Sequence, residues 1–241
     1  MLINPLWFLP SIIAYALFYF LFILDQKYVL PHWVVRKLIH SVGMLLIGIF
    51  ILIIKSLIDV IITLTIFLFL LFIFAIIPPH LTQYLFLKSK RNEEKLLETI
   101  INVTITSTSL IVLYLVFQYQ LFYFISGMYV LAIGDTFGEF FGRKYGKHKY
   151  TSLFARIFKI DRQKSIEGSI AVFSGSFFGL ILALIVYDYR SLILLLSPMI
   201  LISFLIASLF AALLESISIS LLDNILLPWG IALLFYFCRC I

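Results

Sequence analysis

The sequence contains few charged residues and almost no cysteine. Charged side chains make up 12% of the 241 residues, whereas hydrophobic residues make up 63%. This balance excludes an ordinary soluble globular domain and is typical of an integral membrane protein. The only cysteines, Cys238 and Cys240, form a C-x-C pair, which is a weak signal for metal binding or a disulfide. No cysteines and histidines have the spacing of a structural zinc site.

Several common catalytic motifs are also missing from the sequence. It has no G-x-x-x-x-G-K-[ST] phosphate loop, no kinase H-R-D or D-F-G set and no G-x-S-x-G elbow. Any phosphate chemistry must therefore use a different arrangement of residues. Internal repeats and low-complexity linkers are absent too, so residues 1–241 are predicted to form a single transmembrane domain.

Long apolar runs predict an all-α, polytopic integral membrane protein. Runs of about 17–25 apolar residues span a bilayer as helices. The sequence predicts about eight such helices, with seven to nine possible because the last two can be read as one broken element. The predicted spans are residues 6–24, 38–54, 57–77, 98–117, 121–141, 167–187, 191–213 and 217–237.

The distribution of basic residues predicts the orientation of these spans. Loops 25–37, 78–97 and 142–166 and the 214–224 turn fall on one side, and the three loops hold 15 (3 + 4 + 8) of the 18 Lys and Arg residues. The positive-inside rule places that side in the cytoplasm. The net charge of +6 then indicates anionic lipid headgroups or a phosphorylated ligand, and no nucleic acid.

The loop 142–166 contains a short amphipathic pattern. Leu153, Phe154, Ile157 and Phe158 fall on one helical face, with basic residues on another. This is typical of a short helix in the headgroup plane of the bilayer. The alternative is an apolar bump beside a basic segment that stops translocation.

Acidic side chains and glycines share the end of the fifth predicted span. Asp135, Glu139 and Arg143 recur every four residues and so share a helical face. Glycines at the same spacing allow a helix or a ligand to approach the backbone closely; they are Gly134, Gly138, Gly142 and Gly146. Carboxylates beside basic residues suit a metal-bound polyphosphate, with Mg²⁺ held by oxygen ligands. The alternative is a structural ion pair with Arg143.

Three further polar clusters lie on the same predicted side of the membrane. Lys164-Ser165-Ile166-Glu167-Gly168 opens the sixth span, where Ser165 is predicted to cap the helix and Lys164 to attract a phosphate. Arg36, Lys37 and His40 enter the second span, as an anion site or an interfacial anchor. Glu215 and Asp223-Asn224 interrupt the last apolar block. In one straight helix these two acids would be about 12 Å apart, so they could share a ligand only if the helix breaks between them.

Taken in order, these motifs resemble those of the dolichol kinase/phytol kinase family of CTP-dependent polyprenol kinases. The resemblance rests on Asp135, Gly138, Gly142, Gly146 and Lys149, followed by Lys164, Ser165, Glu167 and Gly168. Arg36-Lys37…His40 and Glu215…Asp223-Asn224…Pro228 are similar to flanking motifs of the family. The chain departs from the family pattern at Gly138, where alanine is frequent, and in a longer Lys149–Lys164 segment.

The resemblance implies transfer of the γ-phosphoryl group of CTP to a membrane isoprenoid alcohol, such as dolichol, polyprenol, phytol or geranylgeraniol. It implies Mg²⁺ as cofactor, held by Asp135 with Glu139 and Glu215. Phosphate contacts would come from Lys164, Arg143 and Lys144, and the alcohol proton would pass to Asp223 or His40. The remaining nucleotide-binding positions it implies are Arg36, Lys37, Gly134, Gly138, Gly142, Gly146, Lys149, Ser165, Glu167, Gly168 and Asn224.

The expected protein is a multi-pass protein of the cell membrane or of an endoplasmic-reticulum-type membrane, with its active site facing the cytoplasm. Two other functions fit parts of the pattern. A lipid cytidylyltransferase resembling CDP-diacylglycerol synthase would also use CTP and metal, but the His-Gly-Gly-x-x-Asp-Arg type of signature is missing. A transporter for a lipid phosphate or cation would place its acids near the bilayer midplane between repeats.

Overall fold

A computed structural model describes part of the chain, namely residues 12, 13, 16, 20, 23, 31–53, 58–63, 65–66, 96–160, 163–188 and 197–238. Contacts within the chain define two compact units, Met1–Ile111 and Val112–Ile241. The first unit contains helix α1 (His32–Ile53) and most of α2 (Leu96–Phe117), which ends in the second unit.

The second unit is built mainly from helices, with one small hairpin. Its elements in chain order are α3 (Leu121–Tyr129), a π-helical turn (Val130–Gly134), α4 (Asp135–Tyr145), β1 (Lys149–Thr151), α5 (Leu153–Ile157), β2 (Gln163–Ser165), α6 (Ile166–Tyr187), α7 (Pro198–Ile217) and α8 (Ser220–Cys238).

The helices agree with the predicted all-α membrane class. Within the part of the chain that the structure describes, four stretches are long and apolar enough to cross a membrane: Trp33–Ile53, Leu121–Tyr145, Ile166–Tyr187 and Pro198–Ile217. Two more apolar helices, Thr104–Phe117 and Leu222–Cys238, are shorter. The predicted span 6–24 and loop 78–97 lie almost wholly outside the described residues, as does most of 57–77. The coarse class is therefore supported, and the number of eight spans stays a prediction.

α3, the π-helical turn and α4 form one continuous helical stretch, Leu121–Tyr145, which packs antiparallel to α6. Small residues make this close approach possible: a methyl group added to Gly142 would lie 3.4 Å from Gly168 Cα. Further along the pair, one added to Gly134 would meet Ser176 Oγ at 2.5 Å, and one on Gly179 would meet the Tyr129 carbonyl oxygen at 2.7 Å. The glycine spacing thus serves helix packing, as one of its two predicted uses.

Aromatic side chains fill the core at one end of these helices. Phe122 packs edge-on against Tyr187 with ring centroids 5.6 Å apart, and tilted against Phe235 at 5.7 Å. Phe204 and Phe235 are almost fully buried and also pack edge-on. These contacts join the start of α3 to the ends of α6 and α8, so the polar residues of α4 and of the α6 N-terminus lie at the other end.

The short helix predicted in the basic loop is present as α5. Ser152 caps it by accepting a hydrogen bond from the backbone N–H of Ala155 at 3.3 Å. Leu153, Ile157 and Phe158 are exposed, as a helix lying in the headgroup plane would require.

Candidate functional site

The β1–β2 hairpin places Lys164 and Tyr150 side by side. The strands are antiparallel, and Tyr150 lies directly across the ladder from Lys164. Residues that are directly opposite in a ladder project from the same face. Ser165, which follows Lys164, begins α6 as its cap and accepts a hydrogen bond from the Gly168 N–H at 3.1 Å. The predicted capping role of Ser165 is thus confirmed.

A break between α7 and α8 brings the two acids of the last apolar block together. α7 ends at Ile217 and α8 begins at Ser220, with an irregular backbone between them. Lys164 Nζ lies 2.7 Å from Glu215 Oε1 and 3.4 Å from Asp223 Oδ1. It also donates a hydrogen bond to the backbone carbonyl of Glu215. The helix is therefore broken between Glu215 and Asp223, as the sequence requires if the two acids are to share one partner.

The three charged side chains are buried together, which strengthens their interaction. Lys164 has 18% of its side chain exposed, Glu215 has 14% and Asp223 has 7%. Burial alone would lower the pKa of Lys164, but the charges of Asp223 and Glu215 outweigh it and hold that pKa above its usual value. Lys164 is therefore charged at neutral pH and bound to carboxylates. Its predicted contact with phosphate stays a prediction.

Hydroxyl groups surround this charged cluster. Ser218 Oγ, in the break between the helices, lies within hydrogen-bond distance of the Asp223 carboxylate and 3.0 Å from the Glu215 carbonyl, and its single proton can be donated to either acceptor. Ser169 lies 3.5 Å from Glu215 Oε2, and its Oγ is 2.6 Å from the Tyr150 hydroxyl. Burial raises the pKa of Tyr150, so its phenol stays neutral and can donate.

Asp135 opens α4 directly after the π-helical turn. Such single π turns often occur at functional sites, because the extra residue re-aims the helix that follows. Thr136 Oγ1 donates to the Ala132 carbonyl of that turn at 2.7 Å. Asp135 acts electrostatically on Asp223, which links α4 to the charged cluster.

Glu139 forms an ion pair with Arg143, with 2.7 Å between Oε1 and Nη2. This is the alternative that the sequence left open for these residues. Among the residues that the structure describes, no three His, Cys, Asp or Glu side chains are grouped to hold a metal ion. The predicted ligand set of Asp135, Glu139 and Glu215 is therefore not assembled as one group. Mg²⁺ in nucleotide sites needs only one or two carboxylates, because phosphates and water supply the rest.

Glu167 connects the start of α6 to the start of the hairpin. Its carboxylate accepts hydrogen bonds from the His148 backbone N–H at 3.3 Å, and Oε1 lies 2.7 Å from His148 Nδ1. Glu167 was predicted to bind nucleotide, and these contacts show a structural use for its side chain. They stabilise the position of the hairpin relative to α6.

The remaining predicted residues divide between the two units. Lys144 and Lys149 are exposed, and Lys144 Nζ lies over the Tyr145 ring at 5.3 Å. Asn224 follows Asp223 in α8 and is half-buried. Arg36, Lys37 and His40 lie in α1, in the unit Met1–Ile111; Lys37 is buried, and the Arg36 side chain lies outside the described residues.

Sequence reasoning missed four residues that the structure places around the site: His148, Tyr150, Ser169 and Ser218. Ser169 follows the predicted cap Ser165 by one helical turn, which could have indicated it. Tyr150 and His148 depend on the hairpin, whose strands are three residues long and so too short for a recognisable periodic pattern. Ser218 gains its role only from the break in the helix.

Comparisons with known proteins identify no relative: no family model, no curated protein and no solved structure matches the chain. Any proposal about function therefore rests on the residues and their geometry, and on the motif resemblance.

Proposed function

We propose that this protein is a CTP-dependent prenol kinase. It transfers the γ-phosphoryl group of CTP to the terminal hydroxyl of a membrane isoprenoid alcohol, which gives the lipid monophosphate and CDP. The observation that carries the proposal is the cluster of Lys164, Glu215 and Asp223, buried beside the α6 N-terminus in an otherwise apolar helical protein. Ionisable groups in such surroundings are costly and usually serve a function.

Phosphoryl transfer mainly needs charge neutralisation and positioning. The prenol stays in the bilayer, so its hydroxyl must meet the soluble nucleotide at the membrane surface. In the proposed reaction the prenol oxygen bonds to the γ-phosphorus, and the bond from that phosphorus to the β–γ bridging oxygen breaks. The proton of the alcohol passes to a carboxylate, and CDP leaves.

Each charged group has a role in this proposal. Lys164 neutralises phosphate charge, with Arg143 and Lys144 as further contacts from α4. Asp223 accepts the proton of the alcohol, and His40 is the other candidate for this role. No three carboxylates are grouped among the described residues, so a hard cation would be held by Asp135 together with phosphate and water oxygens. Bound Mg²⁺ would neutralise charge on the phosphates.

The proposal is tested with purified protein in detergent, Mg²⁺, CTP or ATP, and a panel of prenols that differ in length and saturation. A prenyl monophosphate formed together with CDP is the expected product. Pyrophosphate with a CDP-lipid would instead indicate a cytidylyltransferase. Absence of turnover with every acceptor, combined with ion or lipid-phosphate flux in proteoliposomes, would indicate a transporter.

The proposal includes the location and orientation of the protein. The cluster would face the cytoplasm, where CTP is available, and eight spans would place both termini on the other side. The basic residues of the hairpin region would then lie beside the anionic headgroups of the inner leaflet.

A further inference from the structure

A chain of hydroxyl groups leads from the hairpin to the charged cluster. The Tyr150 hydroxyl lies 2.6 Å from Ser169 Oγ, and Ser169 Oγ lies 3.5 Å from Glu215 Oε2. The other carboxylate oxygen, Oε1, is 2.7 Å from Lys164 Nζ. Each oxygen of the Glu215 carboxylate thus has its own partner, one charged and one neutral.

The two partners of Glu215 are Lys164 in β2 and Ser169 in α6, and α6 directly follows β2 in the chain. Tyr150 and Lys164 are paired residues of the hairpin, and Ser169 lies one turn into α6. Ser169 Oγ is also 3.4 Å from the Ser165 carbonyl. When Tyr150 donates its proton to Ser169 Oγ, the Ser169 proton can be donated either to this carbonyl or to the Glu215 carboxylate. A carboxylate held at both oxygens keeps one orientation, whereas a carboxylate held at one oxygen can rotate. The orientation of the Glu215 carboxylate in turn helps to position the Lys164 ammonium, together with the Glu215 backbone carbonyl and Asp223.

We propose that Tyr150 and Ser169 are a positioning pair, which orients Glu215 and thereby holds Lys164 where the phosphates of a nucleoside triphosphate bind. This inference rests on the proposed function for the identity of the ligand. The role of the pair in holding Lys164 is a physical property of the resting protein and can be measured without turnover.

The chain offers a matched control for each member of the pair. Tyr150→Phe removes only the hydroxyl, and Tyr145→Phe removes a hydroxyl from an exposed tyrosine on α4. Ser169→Ala removes the second hydroxyl. Ser174→Ala removes a serine from the same helix whose Oγ donates to the local Ile170 carbonyl at 3.2 Å.

The first measurement is the rate at which Lys164 is acetylated by a water-soluble N-hydroxysuccinimide ester, followed by peptide mass spectrometry. Loss of one neutral hydrogen bond changes an equilibrium by about threefold to tenfold, so Tyr150→Phe and Ser169→Ala should each accelerate Lys164 acetylation by that factor. Because both act through the same carboxylate oxygen, the double variant should react no faster than the faster single variant. Tyr145→Phe and Ser174→Ala should match the wild type.

The second measurement is steady-state kinetics with CTP and a prenol. Both variants should lower kcat/KM for CTP by about tenfold and leave the KM for the prenol unchanged, because the pair acts through Lys164, whose proposed ligand is the nucleotide. Lysine acetylation equal to wild type in both variants, or fully additive effects in the double variant, would overturn the positioning role. If the wild type shows no turnover, the proposed function fails, and the acetylation rates still decide whether the pair holds Lys164.

Discussion

At the scale of single residues, Lys164 is the side chain on which most of the site depends. It is the shared partner of Glu215 and Asp223, and all three are largely buried. Removing one partner from a buried ion pair leaves the other charge uncompensated, which costs about 3–5 kcal/mol. Lys164→Met should therefore lower the free energy of unfolding by an amount in this range. Thermal unfolding in detergent measures it, with Lys149→Met on the exposed part of the hairpin as control.

The pH dependence of stability separates the charge of Lys164 from its packing. Its pKa is raised in the folded protein, so its stabilising contribution is complete below the unfolded value of about 10.4 and is lost as pH rises through the folded pKa. The melting temperature of the wild type should fall more steeply than that of Lys164→Met in this alkaline range. Parallel curves for the two proteins would contradict the charge-based account.

Asp135 gives a second prediction, which concerns chemistry. Asp135→Asn keeps the shape of the side chain but removes the charge that would neutralise Mg²⁺, so turnover should fall by about a thousandfold or more. The melting temperature should change little. Activity close to wild type at low Mg²⁺ concentration would remove Asp135 from the metal site. Ser174→Ala serves as a control for general effects of substitution.

At the scale of elements, the contact between α4 and α6 depends on glycine. A methyl group at Gly138 would collide with Cγ2 of Val172, a β-branched residue on α6 that is fully buried. Gly138→Ala should therefore destabilise the protein by about 1–3 kcal/mol. Gly43→Ala in α1 is the control, because no atom of the described residues lies within 4 Å of its added methyl group.

A compensating substitution makes this prediction specific. Val172→Ala removes the colliding methyl groups, so the double variant Gly138→Ala/Val172→Ala should recover much of the stability lost by Gly138→Ala. Thermal unfolding of the four proteins forms a double-mutant cycle. Additive losses would show that Gly138 is needed for some reason other than its contact with Val172.

The ends of the helices show what the sequence can and cannot predict about the elements. The predicted spans 98–117 and 167–187 start two residues and one residue later than α2 and α6 and end at the same residues, because a continuous apolar run has a sharp boundary. The fifth span was predicted to end at 141, whereas the helix continues to Tyr145. α4 is amphipathic rather than uniformly apolar, so a prediction from hydropathy alone ends the helix too early.

The features that assemble the site depend on tertiary contacts. The hairpin strands Lys149–Thr151 and Gln163–Ser165 are too short to show a periodic pattern. The π-helical turn before Asp135 has no sequence signal beyond an ordinary apolar helix. The break at Ser218 is suggested by polar residues in an apolar block, but only the structure shows that it brings Glu215 and Asp223 to one lysine.

At the scale of the whole molecule, the orientation in the membrane is open to a direct test. The charge distribution predicts that the hairpin region is cytoplasmic. Ser152 is unsuitable as a labelling position, because it is 2% exposed and caps α5. Lys147, two residues before β1, is exposed. In a background with Cys238 and Cys240 replaced by serine, Lys147→Cys should react with an impermeant maleimide only after the cells are permeabilised.

Labelling of Lys147→Cys in intact cells would show that the predicted orientation is reversed. The charged cluster would then face away from cytoplasmic nucleotide. A cysteine at Tyr119, which is 92% exposed between α2 and α3, is the matched position at the other end of the second unit. It should show the opposite pattern and react in intact cells.

The proposed activity of the cluster around Lys164 is transfer of the terminal phosphoryl group of CTP to a prenol. It is tested most directly with purified protein and CTP that carries distinguishable labels on its α- and γ-phosphates, followed by separation of the lipid product. The account predicts that the γ-label enters the prenol product in wild-type protein, that the α-label stays in CDP, and that Asp135→Asn transfers neither. The α-label in the lipid, or no label in the lipid with any prenol, would contradict it.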